Sequence, residues 1–259
     1  MMRAIGLYAA QSRAAIRTSF SDRGNFAIQV GGMIVNDIFF LTLWVLFFAG
    51  FRSIGGWTLP DMALLFGLTM SVVGISGVFF GGYRDLAATL LRGELDALLT
   101  QPKGLISRLL ARESIATAWG DLAGAVFVLG VFARLQVADI PALLLAIAAG
   151  TTVYVSAAIS FASLAFWAAG ARSFARDLTD FTLLFSSYPG SIYQGAVKTI
   201  AFTLLPAGFV VLAPMGMVRD PGLQTLALVV FGAVVYAAIA VGLFHLGVAR
   251  YRRGASPSL

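Results

Sequence analysis

The feature that most constrains this chain is a series of long apolar runs, at 26–50, 62–83, 114–135, 141–169 and 223–248, separated by short polar stretches. A helix needs about 20 apolar residues to cross the roughly 30 Å of hydrocarbon in a bilayer. Each run reaches that length. Soluble domains hold about 45–50% apolar and about 25% charged residues. Here 59% of 259 residues are hydrophobic and 12% are charged, more apolar surface than a soluble core of this size can hide. The chain reads as an all-α polytopic membrane protein, a single transmembrane domain over 1–259 with no linker.

Orientation follows from the basic residues. Fourteen of the 18 Lys and Arg fall on one side if the N-terminus is cytoplasmic: Arg3, Arg13, Arg17 and Arg23 before the first run, five within 84–113, Arg172 and Arg176, and Arg250, Arg252 and Arg253. Arg52, Arg134, Lys198 and Arg219 fall on the other. Cytoplasmic loops carry the excess of Lys and Arg, so both termini are expected in the cytoplasm and the number of crossings is even. The remaining region, 171–217, is broken by Pro189, Pro206 and Pro214 and must then cross once. The simplest arrangement is a crossing at 174–193 followed by a re-entrant hairpin at 195–217 on the outer face, six spans in all. Irregular backbone at that depth is tolerated only against protein or water.

Residues 1–20 are no cleavable signal peptide, because Arg3, Arg13 and Arg17 interrupt any apolar core. The stretch 1–25 reads as an interfacial helix with Arg13 and Arg17 on one face and Ile5, Ile16 and Phe20 toward lipid; the alternative is a basic flank to the first span. The net charge of +6 flanks apolar runs instead of forming a groove, which argues against a nucleic-acid partner.

Catalytic signatures are missing. Without cysteine there is no disulfide, thiolate metal site or cysteine nucleophile. The one histidine, His245, sits near the end of the last run, and no metal-protease or serine-hydrolase motif appears. Gly190 to Gly195 followed by Lys198 and Thr199 lacks the register of a phosphate-binding loop. The expectation is no enzyme, no metal and no cofactor on this chain; any nucleotide hydrolysis falls to a partner.

Two acids lie within apolar runs. A charge there costs roughly 2.5–3.5 kcal/mol on insertion scales, so Asp37, beside Asn36, and Asp121 either line a polar path or join helices by hydrogen bonds. Gly77 with Gly81, and Gly120 with Gly124, have the small-xxx-small spacing that lets helices pack closely, a pattern that also arises by chance among 28 glycines.

The longest polar interruption, 84–113, carries Arg84, Arg92, Lys103, Arg108 and Arg112 yet keeps apolar residues at helical spacing: Leu86, Leu90, Leu91, Leu95, Leu98 and Leu99. Such an element is where a soluble partner would grip. Two passages, LRGELDALLTQP over 91–102 and YPGSIY over 188–193 with Leu205, Pro206, Ala213 and Pro214 behind it, resemble the permease subunits of ABC-2-type exporters, in the branch called ABC-2 family transporter proteins. The resemblance runs in order over essentially the whole chain.

The resemblance implies six spans, a cytoplasmic interfacial helix, a coupling helix between spans 2 and 3, and an outer re-entrant segment before span 6. It also implies pairing with an identical or related permease, two separate ATPase subunits holding ATP and magnesium, export of an unidentified substrate, and the inner membrane of a bacterium. On the matching positions, Arg92, Gly93, Glu94, Asp96 and Pro102 fall on the coupling segment. Gly93 would interrupt the helix, Pro102 would end it, and the leucines would face membrane or neighbouring spans. Candidate path residues are Asn36, Asp37, Asp121, Tyr188, Pro189 and Tyr193. The rival reading is an ATP-independent secondary transporter or channel; such folds show related halves and broken helices, and only 171–217 is broken here.

Overall fold

The computed structural model describes residues 2–53, 55–92, 95–99, 104–168 and 170–253, the backbone alone at 2–5, 96 and 97. Among these residues the regular structure is helical, with no strand. Four helices are long and apolar enough to cross a membrane. They are α2 (Arg23–Gly50), α3 (Leu59–Phe80, continued by short helix to Leu91), α8 (Ile140–Ser163) and α12 (Leu223–Arg252). A fifth is present if the bent pair α10 (Gly195–Thr203) and α11 (Ala213–Arg219) counts as one span. Local signals open these helices. Asp22 accepts from the backbone N–H of Asn25 at 2.9 Å before α2. Asp61 Oδ2 takes the backbone N–H and hydroxyl of Thr58, both at 2.6 Å, in the first turn of α3, a cap that satisfies donors no helix can satisfy itself.

In space the order differs from the chain. Helix α7 (Thr117–Val131) lies between α2 and α3, α3 packs next against α8, and α8 carries α12, α11 and α9 (Ala171–Ser186). The most apolar stretch of α3 is 78% buried and that of α8 61%, against 6% for α2 and 17% for α12. The first two are therefore the core, and the last two turn apolar faces outward. Apolar burial drives helices together only weakly in lipid, which is as apolar as leucine; close van der Waals packing does it instead.

The glycines supply that packing along α3 and α7. A Cβ on Gly77 would lie 2.5 Å from the Cβ of Ala118, and one on Gly81 would lie 2.6 Å from the Glu113 carbonyl oxygen. Across α2 and α7, a Cβ on Gly120 would stand 2.7 Å from Met33 Cβ, and one on Gly124 would stand 2.9 Å from Asp37 Oδ2. Both small-xxx-small pairs are thus contact points.

Three expectations change. The third apolar run, 114–135, yields a helix of only 15 residues, about 22 Å at 1.5 Å per residue. Before it, the Ile115 N–H donates to the Gly77 carbonyl at 2.9 Å instead of joining the helix; after it, Arg134 adopts a left-handed backbone at φ 52°. The run 174–193 gives α9, amphipathic and 16 residues long, with Arg172, Arg176, Asp177 and Asp180 in the part up to residue 180; it falls short of the four long spans in length and apolarity. Helix α1 (Met2–Ser19) does not offer Ile16 to lipid. Ile16, half buried, packs against the cluster of Val78, Ile115 and Ala118, and the Phe20 ring lies 5.6 Å from that of Trp119. Tyr8 fixes the helix by donating to the Phe79 carbonyl at 2.6 Å. Burial pushes its phenol up to about 12, so the donor keeps its proton.

The 195–217 region is broken where the prolines stand. Gly195, at φ 54°, turns the chain into α10; Pro206 follows it, then one π turn over Gly208–Leu212, and α11 carries Pro214 in its first turn, the pair bent by 69°. A Cβ on Gly150, midway along α8, would strike the Val210 carbonyl. The Tyr236 hydroxyl, midway along α12, donates to the Thr203 carbonyl at 2.9 Å. The break therefore sits deep among the spans. Both approaches to it lie at the end of the bundle where α3 begins: Ser191 beside Gly55, and Arg219 on Asp61.

Candidate functional site

At the other end, where α3 runs out, the polar interruption folds into a 3-10 turn (Gly81–Tyr83) and three short helices, α4 (Leu86–Leu91), α5 (Leu95–Leu99) and α6 (Leu105–Leu110). Leu86, Leu90 and Leu95 are buried, and Leu98 and Leu99 pack against the same core. The leucine rhythm therefore faces protein and folds the segment back on the bundle. The segment is cross-tied. Arg108 Nη2 donates to the Leu98 carbonyl at 2.6 Å, and Arg112 Nη1 to Thr89 Oγ1 at 3.1 Å. Of the predicted coupling residues, Arg92 caps α4 and meets Asp85 at 3.1 Å, both side chains half exposed. Gly93, Glu94 and Pro102 lie outside the described residues; Asp96 lies in α5, its side chain likewise outside them.

Beside this segment is a cavity of about 530 Å³ between α3, α4, α8 and α9. Tyr83 and Tyr154 lie buried in it with ring centroids 5.6 Å apart. Around them stand Arg84, Asp85, Arg172, Arg176, Asp177 and Asp180. Asp85 is shared, its other oxygen 3.7 Å from Arg172. Sequence reading missed this site: charges on α9 were visible, but not their meeting with the end of α3.

The candidate path residues fall in two groups. Asp37 and Asp121 are both buried, on facing helices α2 and α7. Each is near enough for the charge on Asp37 to bear on Asp121, which also senses Arg84. Asp37 Oδ2 has no hydrogen-bond partner among the described residues and points at Gly124. Asn36, the residue before Asp37 on α2, is exposed. The second group is at the opposite end. Tyr193 is buried and donates to the Phe185 carbonyl at 2.8 Å, its ring 5.3 Å from Phe185. Tyr188 and Pro189 are half buried just before it. The structure does not bring the two groups together.

Near that second group lies an ion pair the sequence did not disclose, Arg219 on Asp61. It edges a cleft of about 440 Å³ with Trp57, Lys198 and Met215. Asp61 Oδ2 caps α3 while Oδ1 takes the arginine, so one carboxylate ties the start of α3 to the end of α11. The only sequence signal was an acid in the first turn of a span.

Among the described residues no group of acids and histidine is arranged to hold a metal ion. Comparison with curated proteins and with solved structures gives no match. The family model described as ABC-2 family transporter protein matches residues 33–255, so this multi-pass membrane protein belongs to the ABC-2 transporter family, as its membrane component.

Proposed function

We propose that the chain is the transmembrane subunit of an ATP-driven exporter, paired with a second permease and working on separate ATPase subunits that bind ATP and magnesium. The observation that carries this reading is a family match over 33–255 in a chain whose longest polar interruption folds as a cross-tied unit at one end of the bundle. Helix α3 leads directly into that unit and α7 leaves it, so a push on it moves both. The coupling contact would fall at 91–102, with Arg92, Glu94 and Asp96 facing the ATPase. In this reading 1–259 is one transmembrane domain with six spans and both termini in the cytoplasm of a bacterium. Helix α9 is the fifth span, and α10 with α11 forms the outer re-entrant segment. Asp37, Asp121 and the Tyr188–Tyr193 stretch border the path.

The test is purification of the chain with its natural neighbours. An ATPase should co-purify, and its turnover should change when the permease is present. Changing Arg92, Glu94 and Asp96 together to alanine should lower both association and turnover. Intact binding and export in that variant would remove the coupling assignment, and export without any ATPase would favour the ATP-independent reading.

A further inference from the structure

The 530 Å³ cavity beside α9 is of the size that holds small ligands, about 300–1,000 Å³. Its charges are arranged unusually. Asp85 is occupied by Arg92 and Arg172. Arg84, Arg176, Asp177 and Asp180 line the same space, and among the described residues none of these four lies within ion-pair distance of an opposite charge. Arg84 and Asp180 nevertheless converge, since the charge of each is felt at the buried Tyr83 and Tyr154. Two cations and two carboxylates are thus held apart around a tyrosine floor. The first turn of α9, with Arg172 and Ser173 on the cavity, adds the positive end of a 16-residue helix. A ligand with one anionic and one cationic group would satisfy both pairs, whereas a simple anion would meet two uncompensated aspartates.

The setting says which zwitterion. The cavity lies where α3 ends and α9 begins, a level that in the multi-pass reading meets the lipid headgroups. The opposite side of α9 exposes Phe174 and Phe181, seven residues apart on one face, an apolar surface along which acyl chains can lie. We infer that this cavity binds the headgroup of a zwitterionic phospholipid, phosphate on Arg84 and Arg176 and amine on Asp177 and Asp180. The inference rests on the multi-pass membrane reading and needs no partner ATPase.

Test it on the purified full chain in detergent, by native mass spectrometry and by the midpoint of thermal unfolding, with phosphatidylethanolamine, phosphatidylglycerol or soluble glycerophosphoethanolamine added. The four side chains are exposed and solvent screens their pairs, so loss of one pair should weaken binding about two- to fivefold. The wild type should retain phosphatidylethanolamine over phosphatidylglycerol and gain thermal stability only with the former. Asp177→Asn with Asp180→Asn should erase that preference; Arg84→Gln with Arg176→Gln should weaken both lipids. All four side chains are exposed, so folding should survive, and unchanged helical circular dichroism checks it. Equal retention of the two lipids by the wild type, or no response to either double variant, overturns the site. Glycerophosphoethanolamine matching the lipid in affinity overturns the lipid source.

Discussion

The contact between α3 and α7 allows a sharp perturbation, because one atom decides it. In Gly77→Ala the new Cβ would sit 2.5 Å from Ala118 Cβ, about 1 Å inside the carbon–carbon optimum of roughly 3.5–4.0 Å. Both partners are rigid, a helix backbone with one methyl each, so relief requires the helices to part. Overpacking of this kind costs about 1–3 kcal/mol, against a gain of about 1 kcal/mol from replacing glycine by alanine in a helix. The net loss should be roughly 0–2 kcal/mol, a fall in unfolding midpoint of up to about 8 °C at roughly 2–4 °C per kcal/mol for a chain of this class. The decisive variant is Gly77→Ala combined with Ala118→Gly, which moves the methyl across the interface and should restore the midpoint. A coupling of roughly 1–3 kcal/mol is then expected from the double-mutant cycle. Gly31→Ala and Gly32→Ala, whose added Cβ atoms would meet nothing within 4 Å, are the controls. Tryptophan fluorescence melts in one detergent at one scan rate are sufficient. If Gly77→Ala behaves like the controls, or if Ala118→Gly fails to rescue it, close packing is not what joins α3 to α7.

The chain has no cysteine, so single cysteines report topology without background. Ser53→Cys and Ala138→Cys should react with an impermeant maleimide from outside intact cells, and Ser21→Cys and Ser107→Cys only after permeabilisation; the reverse pattern would invert the positive-inside assignment. Arg219→Gln should cost about 0.2–1 kcal/mol, since the arginine is 41% exposed and solvent weakens the pair. Asp61→Asn should cost more, by up to about 1 kcal/mol, because it also impairs the cap on Thr58; equal losses in thermal melts would mean that the carboxylate serves only one of these roles. Asp37→Asn removes a charge whose Oδ2 is buried with no hydrogen-bond partner among the described residues, so the melting midpoint should hold or rise while export falls. A lowered midpoint would instead mark Asp37 as a structural bond between α2 and α7.

What could be read from the sequence was whatever depends on neighbours in the chain. Apolar length alone locates α2, α3, α8 and α12, because a span needs only about 20 such residues in a row. The breaks at Pro206 and Pro214 follow from proline geometry, and the leucines of 84–113 do form short helices. The rest depends on distant partners. Helix α7 starts at Thr117, after the Ile115 N–H is held by the Gly77 carbonyl of another helix, and ends at Val131, before the left-handed Arg134. Ile16 turns inward because the cluster of Val78, Ile115 and Ala118 offers it a protein surface. Which glycines among 28 lie at contacts is a question of register, and the Asp61–Arg219 pair joins residues far apart in the chain. The expected path residues separated into two groups for the same reason: spacing along a helix fixes a face, but not which helix that face meets.

Helix α3 is where these distant contacts converge. Gly77 joins its far end to Ala118 of α7, and Gly81 just beyond it meets Glu113 ahead of α7, while Asp61 at its start holds Arg219 of the bent pair. Its middle is buried on all sides, with Val72 beside the Val210 carbonyl region at Gly150. A helix so enclosed cannot bend easily, because cores packed to crystal-like density rearrange between discrete fits instead of deforming continuously. Force applied to the short helices after Phe80 must therefore reach Asp61 as a tilt or rotation of the whole helix, α7 moving with it. What yields first is the weakest contact along that line. The glycine contacts are close and dry, whereas the Asp61–Arg219 pair is partly solvated and contributes about 1 kcal/mol or less. Movement imposed at the 84–113 end is thus expected to open the bundle at its opposite end, between α3 and α11, beside the cleft that Trp57 and Lys198 border.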